Sequence, residues 1–286
     1  METNPDVIEL VRGVDGLVTL PNIFIRINQL IDDPNSSNHD IAQAISQDPS
    51  FTVRLLRVAN SSYYGFPSSV DTVARAVTLI GTGQIRNLAL SMSVANSFAG
   101  LPNHLVSMEN FWRHSLYCAL SARILARLAG KVDPEVMFTA GLLHDIGELV
   151  IFNRRPEQAK AALLLVLDSM DELPVHLSEQ QILGFDHAQV GGELARHWNL
   201  PLLLQECMAY HHGISQAQRH PREVAMVHLA NQLALMAEVN TLNVSDVAPC
   251  DEHAWESAGL DKAVIEQVLS EVQAGVVEAE KLFVGN

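Results

Sequence analysis

The sequence predicts an all-α fold, and three observations carry that expectation. Apolar residues recur at three- and four-residue spacings along most of the chain. No stretch alternates apolar with polar residues between turn signals, as a half-buried strand would. Proline, glycine and short polar residues stand where helices start and stop, for example Asp48-Pro49, Asp133-Pro134 and Gly81.

Taken in order, residues 5–14 read as a short amphipathic segment, followed by the loop Asp15-Gly16. Pro21 opens a helix carrying Ile23, Ile27, Leu30 and Ile31, and residues 32–37 form a loop. Ser37 or Asn38 caps a helix bearing Ile41, Ala42, Ala44 and Ile45. Asp48 and Pro49 then start a helix that runs through Leu55, Leu56, Val58 and Ala59. The aromatic stretch Asn60-Ser61-Ser62-Tyr63-Tyr64-Gly65-Phe66-Pro67 interrupts the pattern and reads as a wedge between packed helices. Two more helices follow, from Asp71 to Gly81 and from Thr82 through Val94.

Gly100-Leu101-Pro102-Asn103 is the best candidate boundary, giving an N-terminal helical subdomain at 1–100 and a second domain at 101–286. Histidine usage changes there: only His39 precedes the boundary, and the other eleven follow it. A long helix is expected at 105–128. Val132-Asp133-Pro134 opens the next, which runs through Gly141-Leu142-Leu143-His144-Asp145-Ile146-Gly147-Glu148-Leu149. Shorter helices are expected at 156–169, 175–183, 186–197, 201–211, 221–238, 250–258 and 261–283. Gly191-Gly192 inside one of them predicts close helix packing near His187.

With 33 acidic against 18 basic residues, the net charge of −15 argues against a broad nucleic-acid-binding face, which would have to neutralise phosphates. Arg54, Arg57, Arg75 and Arg86 supply most of the basic charge of the N-terminal part and read as solvated helix faces. No apolar run reaches membrane-spanning length, since residues 161–167 stop at Asp168. The acidic N-terminus lacks the order of a signal peptide, and three scattered cysteines fit a reducing compartment, so a cytoplasmic protein is expected. Cys118 reads as a small buried apolar residue.

Placing His144 and Asp145 in an apolar stripe costs desolvation, which a metal ion or a hydrogen-bonded side-chain pair would offset. His114, His187, His211 and His212 fall on other expected helices, mostly near apolar faces. Imidazole and carboxylate donors suit Fe, Mn, Zn or Ni better than Ca or Mg. Spacing alone leaves the metal and the hydrogen-bonded readings open. His176, His197, His220, His228 and His253, taken singly, read as ordinary hydrogen-bonded residues.

"GLLHDIGELV" resembles the His-Asp signature of the HD superfamily of metal-dependent phosphohydrolases. Over roughly residues 17–240 the chain is similar to the HDOD family, the HD-related output domain of bacterial signalling proteins. The resemblance runs through "LPNIFIRINQLIDDP", "AQAISQDPSFTVRLLRVANSSYYG", "ARAVTLIGTGQIRNLAL", "FWRHS", "FDHAQVGGELARHWNLP" and "YHHG". It implies His114 as the first ligand of an HD site, His144 and Asp145 as its central pair, and His187, His211 and His212 around a second ion.

The chain departs from the superfamily's pattern at two places. Asn231 stands where the last aspartate ligand is expected, and Glu148 stands where related phosphodiesterases carry a lysine that holds phosphate. The segment after His212 has no GYP motif. The resemblance therefore implies a signalling regulator acting through protein partners or a small nucleotide-like ligand. The alternative is a metal-dependent phosphohydrolase, in which Asp145 would be catalytic as a ligand of the ion.

Overall fold

Every regular element among the described residues of the computed structural model is a helix; these residues are 4–13, 21–61, 64–98, 105–169, 173–247 and 250–283. The first six α-helices are α1 Pro5–Arg12, α2 Asn22–Asp32, α3 Asn38–Ser46, α4 Pro49–Ala59, α5 Val73–Ile80 and α6 Thr82–Phe98. The next five are α7 Met108–Ala129, α8 Pro134–Leu143, α9 Ile146–Arg154, α10 Pro156–Asp168 and α11 Val175–Leu183. Then come α12 His187–His197, α13 Leu202–Tyr210, α14 Pro221–Val239, α15 His253–Ala258 and α16 Ile265–Phe283. The all-α expectation holds. The aromatic stretch is described only in part, because Ser62 and Tyr63 lie outside the described residues; so do Asp15-Gly16 and the boundary Gly100–Asn103.

Backbone contacts divide the chain into two units: Met1–Val18 with Leu101–Ala274, and Thr19–Gly100 with Gly275–Asn286. A single cut after residue 100 does not describe this division. Helix α1 groups with the later unit because Val7, Leu10 and Val11 are buried and the helix packs on α12 and α9.

In the unit built from α2–α6, local chemistry sets the helix ends. Ser37 and Asp40 form a reciprocal cap on α3: the Ser37 hydroxyl accepts from the Asp40 N–H, and the Asp40 carboxylate accepts from the Ser37 N–H at 2.8 Å. The Asp48 carboxylate accepts from the Phe51 N–H at 2.9 Å, and Pro49 takes a first-turn position where its missing donor is harmless. Asn60 ties down the loop that follows. Its amide donates to the Leu56 and Val70 carbonyls, and its side-chain oxygen accepts from the Val70 N–H at 2.7 Å. In that loop Tyr64 stacks on Phe66 with ring centres 5.6 Å apart.

In the other unit α7 is the central rod, with Leu116, Cys118, Ala119, Ala122, Leu125 and Ala126 fully buried and α8 and α14 packed against it. Cys118 is the small core residue that its sequence context suggests. Beside this layer α12 packs on α9 and α13. Two close approaches hold that layer together. A Cβ at Gly147 would overlap the His187 carbonyl, so only glycine lets α9 meet the start of α12. A Cβ at Gly192 would lie 2.5 Å from the Ala209 Cβ, so α12 and α13 touch there as well. The glycine pair expected to mark close packing does so through Gly192, while Gly191 makes ordinary contacts.

Candidate metal centre

His144 and Asp145 are not inside one continuous helix. Helix α8 ends at Leu143 and α9 begins at Ile146, and the pair forms the turn between them, with Asp145 at φ −96° and ψ 8°. The apolar periodicity continues across the break, which is why the sequence reads as one helix. The break turns both side chains toward the same interior point without interrupting burial: His144 is fully buried and Asp145 is 8% exposed. His211 and His212 occupy the turn after α13, and His187 is the first residue of α12. His114 and Asn231 lie within α7 and α14. Four of these seven residues therefore sit in turns just beyond helix ends.

The structure brings four of these imidazoles to the Asp145 carboxylate and the other two side chains beside them. Its Oδ2 lies 2.9 Å from His144 Nε2 and 3.5 Å from His114 Nε2. Its Oδ1 lies 3.3 Å from both His187 Nε2 and His211 Nε2. His212 Nε2 is 2.9 Å from His187 Nε2, and Asn231 Oδ1 is 3.0 Å from His114 Nε2. Two donor groups result, His114–His144–Asp145 and Asp145–His187–His211–His212, each with its ligand atoms within 4.8 Å of one another.

The outward nitrogens explain this arrangement. Nδ1 of His144 donates to the Gly141 carbonyl at 2.8 Å, and Nδ1 of His211 to the Met208 carbonyl at 2.9 Å. A carbonyl can only accept, so each ring carries a proton on Nδ1 and turns its Nε2 inward. Those two Nε2 atoms and Asp145 Oδ1 are buried and make no hydrogen bond. With those Nε2 atoms unprotonated, acceptors face acceptors in a buried pocket, an arrangement that a cation or a proton between them would relieve.

Protons partly serve in the ion-free protein. Burial pushes the His187 imidazole down, but the Glu179 carboxylate hydrogen-bonded to it and the nearby Asp145 carboxylate outweigh that and hold the ring well above its ordinary value. Burial likewise disfavours the charged form of His114, yet Glu238, Asp145 and Glu148 lift it to about 9. Burial lowers His211 and His212, and neighbouring imidazoles lower them further. Burial pushes the Asp145 carboxyl up, but the imidazoles clustered on it, His144 foremost, outweigh that and hold it well below the usual carboxylate range.

Several participants carry no signal in the sequence. Glu179, 2% exposed, accepts from both the backbone N–H and Nδ1 of His187, at 2.8 and 2.7 Å. Glu238 lies 3.2 Å from His114 Nδ1. His176 stacks on His212 with ring centres 4.0 Å apart, and His228 Nδ1 donates to the His211 carbonyl at 2.6 Å. Both of these histidines read as unremarkable one at a time. A spacing of eight residues joins Glu179 to His187, but helix periodicity does not make that pair conspicuous across a turn. Glu148 is also closer to the centre than a phosphate-repelling surface charge: with Glu179 and His187 it forms a third group with metal-ligand spacing. Burial and the Asp145 charge push its carboxyl up to about 8, so it carries a proton at neutral pH when no ion is present.

Comparison with known proteins bears on the family and the fold. The family model of the HDOD domain matches residues 17–214. The chain belongs to the HDOD family. An HDOD domain protein of unknown function from Geobacter sulfurreducens, whose crystal structure is known, is 25% identical with a TM-score of 0.76, covering 98% of this chain and 99% of that one. A candidate phosphohydrolase of Shewanella amazonensis SB2B has the same fold, with 24% identity and a TM-score of 0.76 over 96% of this chain and 98% of that one. An uncharacterized protein of Treponema pallidum (strain Nichols) is 26% identical over 222 residues, which are 76% of this chain and 42% of that protein. The chain thus spans less than half the length of that relative. No helix among the described residues is long and apolar enough to cross a membrane.

Proposed function

We propose that this HDOD protein is a signalling regulator that binds divalent metal and turns over phosphoesters weakly or not at all. His114, His144 and Asp145, with Asn231 beside them, would hold one ion, and Asp145, His187, His211 and His212 a second. The imidazole-rich donor set suits Fe, Mn, Ni or Zn. An ion there supplies Lewis acidity toward a phosphoester oxygen. The chain's own contribution is to hold five imidazoles around a shared, buried carboxylate, with Nδ1 of His144, His187 and His211 each committed to an acceptor.

The observation that carries the regulatory reading is Asn231. Its neutral amide oxygen stands 3.0 Å from His114 Nε2, so the first donor group rests on Asp145 alone for its carboxylate charge. Glu148 strengthens the reading, since a bound cation would strip its proton and leave like charge beside any incoming phosphate. Output would then pass through signalling partners or a nucleotide-like ligand, in the reducing cytoplasm that three unpaired cysteines fit.

The second reading, a phosphohydrolase in which Asp145 is a catalytic ligand, is favoured by the convergent histidines themselves. The deciding experiment is a screen of nucleotides and phosphoesters with Mn, Fe, Ni and Co. No turnover above background is expected. Turnover that disappears in His144→Ala and Asp145→Ala would overturn the regulatory reading.

A further inference from the structure

Helix α11 is anchored in an unusual way. Its buried residues are Ser178 and Glu179, Val175 and Leu183 are half-buried, and Leu177 and Ile182 stay exposed, so the helix turns a carboxylate further inward than any of its apolar side chains. Burying a charge is costly unless it meets a specific partner. Glu179 meets one: a single oxygen, Oε2, accepts both the backbone N–H and the ring Nδ1–H of His187. The first contact pins the start of α12, and the second pins the rotation of the imidazole about its own axis. With Nδ1 committed to Glu179, Nε2 is the nitrogen left to face Asp145 and His212.

We propose that Glu179 is the positioning residue that makes His187 a metal ligand, acting through the ring rather than on the ion. This inference rests on the metal-binding reading above. His144 and His211 have backbone carbonyls on Nδ1, which are neutral; His187 has a buried carboxylate, which both fixes the tautomer and makes Nε2 a stronger donor. Glu148 does not duplicate it, because its nearest oxygen is 4.0 Å from His187 Nδ1. Glu238 plays the weaker version of the part at His114, over 3.2 Å and from a side chain 29% exposed.

The test is a calorimetric titration of the full-length protein with Co(II), with the visible spectrum of the bound ion as a second readout. Glu179→Gln keeps the size and one accepting oxygen but removes the charge, and about a 10- to 100-fold loss of affinity is expected for it. A merely structural loss is separated in two ways. Glu206→Gln removes another buried carboxylate, one that accepts from the backbone N–H groups of Gln218, Arg219 and His220; it should lower thermal stability and leave Co(II) affinity unchanged. Glu179→Gln combined with His187→Ala should bind no worse than His187→Ala alone, because both act through one ring.

Affinity of Glu179→Gln within twofold of wild type, or full additivity with His187→Ala, would overturn the proposal. One measurement needs no metal: the His187 Nδ1 proton should give a downfield, slowly exchanging resonance in the ion-free protein that Glu179→Ala abolishes. If that resonance behaves so while the wild type takes up no Co(II), the metal reading fails and the positioning holds. If the resonance is unchanged in a folded Glu179→Ala protein, the positioning itself is wrong.

Discussion

The two faces of the Asp145 carboxylate are unequally furnished. Oδ1 looks toward three imidazoles, of which His187 and His211 are nearly or fully buried. Oδ2 looks toward two imidazoles, one of which, His114, has a neutral amide beside it and 18% of its side chain exposed. The Oδ1 face has four protein donors, a number that can complete a tetrahedral shell, whereas the Oδ2 face has three and an amide. The difference teaches where an ion would be held most firmly and where the site stays open to solvent or a ligand.

The largest effect should come from removing what the faces share. Asp145→Ala deletes the only carboxylate common to both groups, so it should abolish uptake on both faces, with affinity down more than about 100-fold by calorimetry. Selective loss on one face would instead show that the faces are independent. His211→Ala and His144→Ala sharpen the comparison, since each removes a donor from one face only. If two ions are held, each variant should retain one, and the ion kept by His144→Ala should be the tighter.

A smaller effect is expected at the amide. Asn231→Asp supplies the missing negative charge next to His114 and should tighten binding on the Oδ2 face by roughly tenfold, leaving the Oδ1 face unchanged. Equal tightening on both faces would contradict the asymmetry.

The pH dependence is subtler and has a definite sign. His114 is raised from 6.5 to about 9, so its contribution to stability is full below pH 6.5 and is lost as pH rises through about 9. Glu148 is raised from 4.5 to about 8, so the folded chain holds a proton that the unfolded chain has released, and stability falls between those values. Both trends make the ion-free protein less stable from pH 7 to 9. An ion must displace the same protons, so its affinity should rise over that range. Scanning calorimetry with and without Mn(II) should therefore show a larger shift in melting temperature at pH 8.5 than at pH 6.5. A shift that shrinks with pH would contradict the protonation states.

How much of this was legible in the sequence depended on the range of the interaction. Helix starts at Ser37, Asp48 and Asp133 are set by side chains bonding two or three residues on, and those were readable. Six of the candidate residues stood out as histidines and a carboxylate near apolar helix faces, the family resemblance added Asn231, and the fold brings the seven near one another, their role as ligands being the proposal above. The turn at His144-Asp145 was hidden because both sides of it are apolar and keep the same periodicity. The grouping of α1 with the later unit was hidden for a different reason, since its burial depends on α9 and α12, far away in the chain. Glu179 and Glu238 looked like ordinary acidic helix residues, and only the packing shows which imidazole each one faces.

The measurement that tests the central claim most directly is the metal content of protein purified after growth with added Mn, Fe, Ni and Zn. Inward-facing Nε2 atoms around a buried carboxylate predict about one ion per chain or more, removed by a chelator with a fall in melting temperature. Fewer than about 0.1 ions per chain, with no shift on chelation, would contradict it and leave the cluster a hydrogen-bonded core.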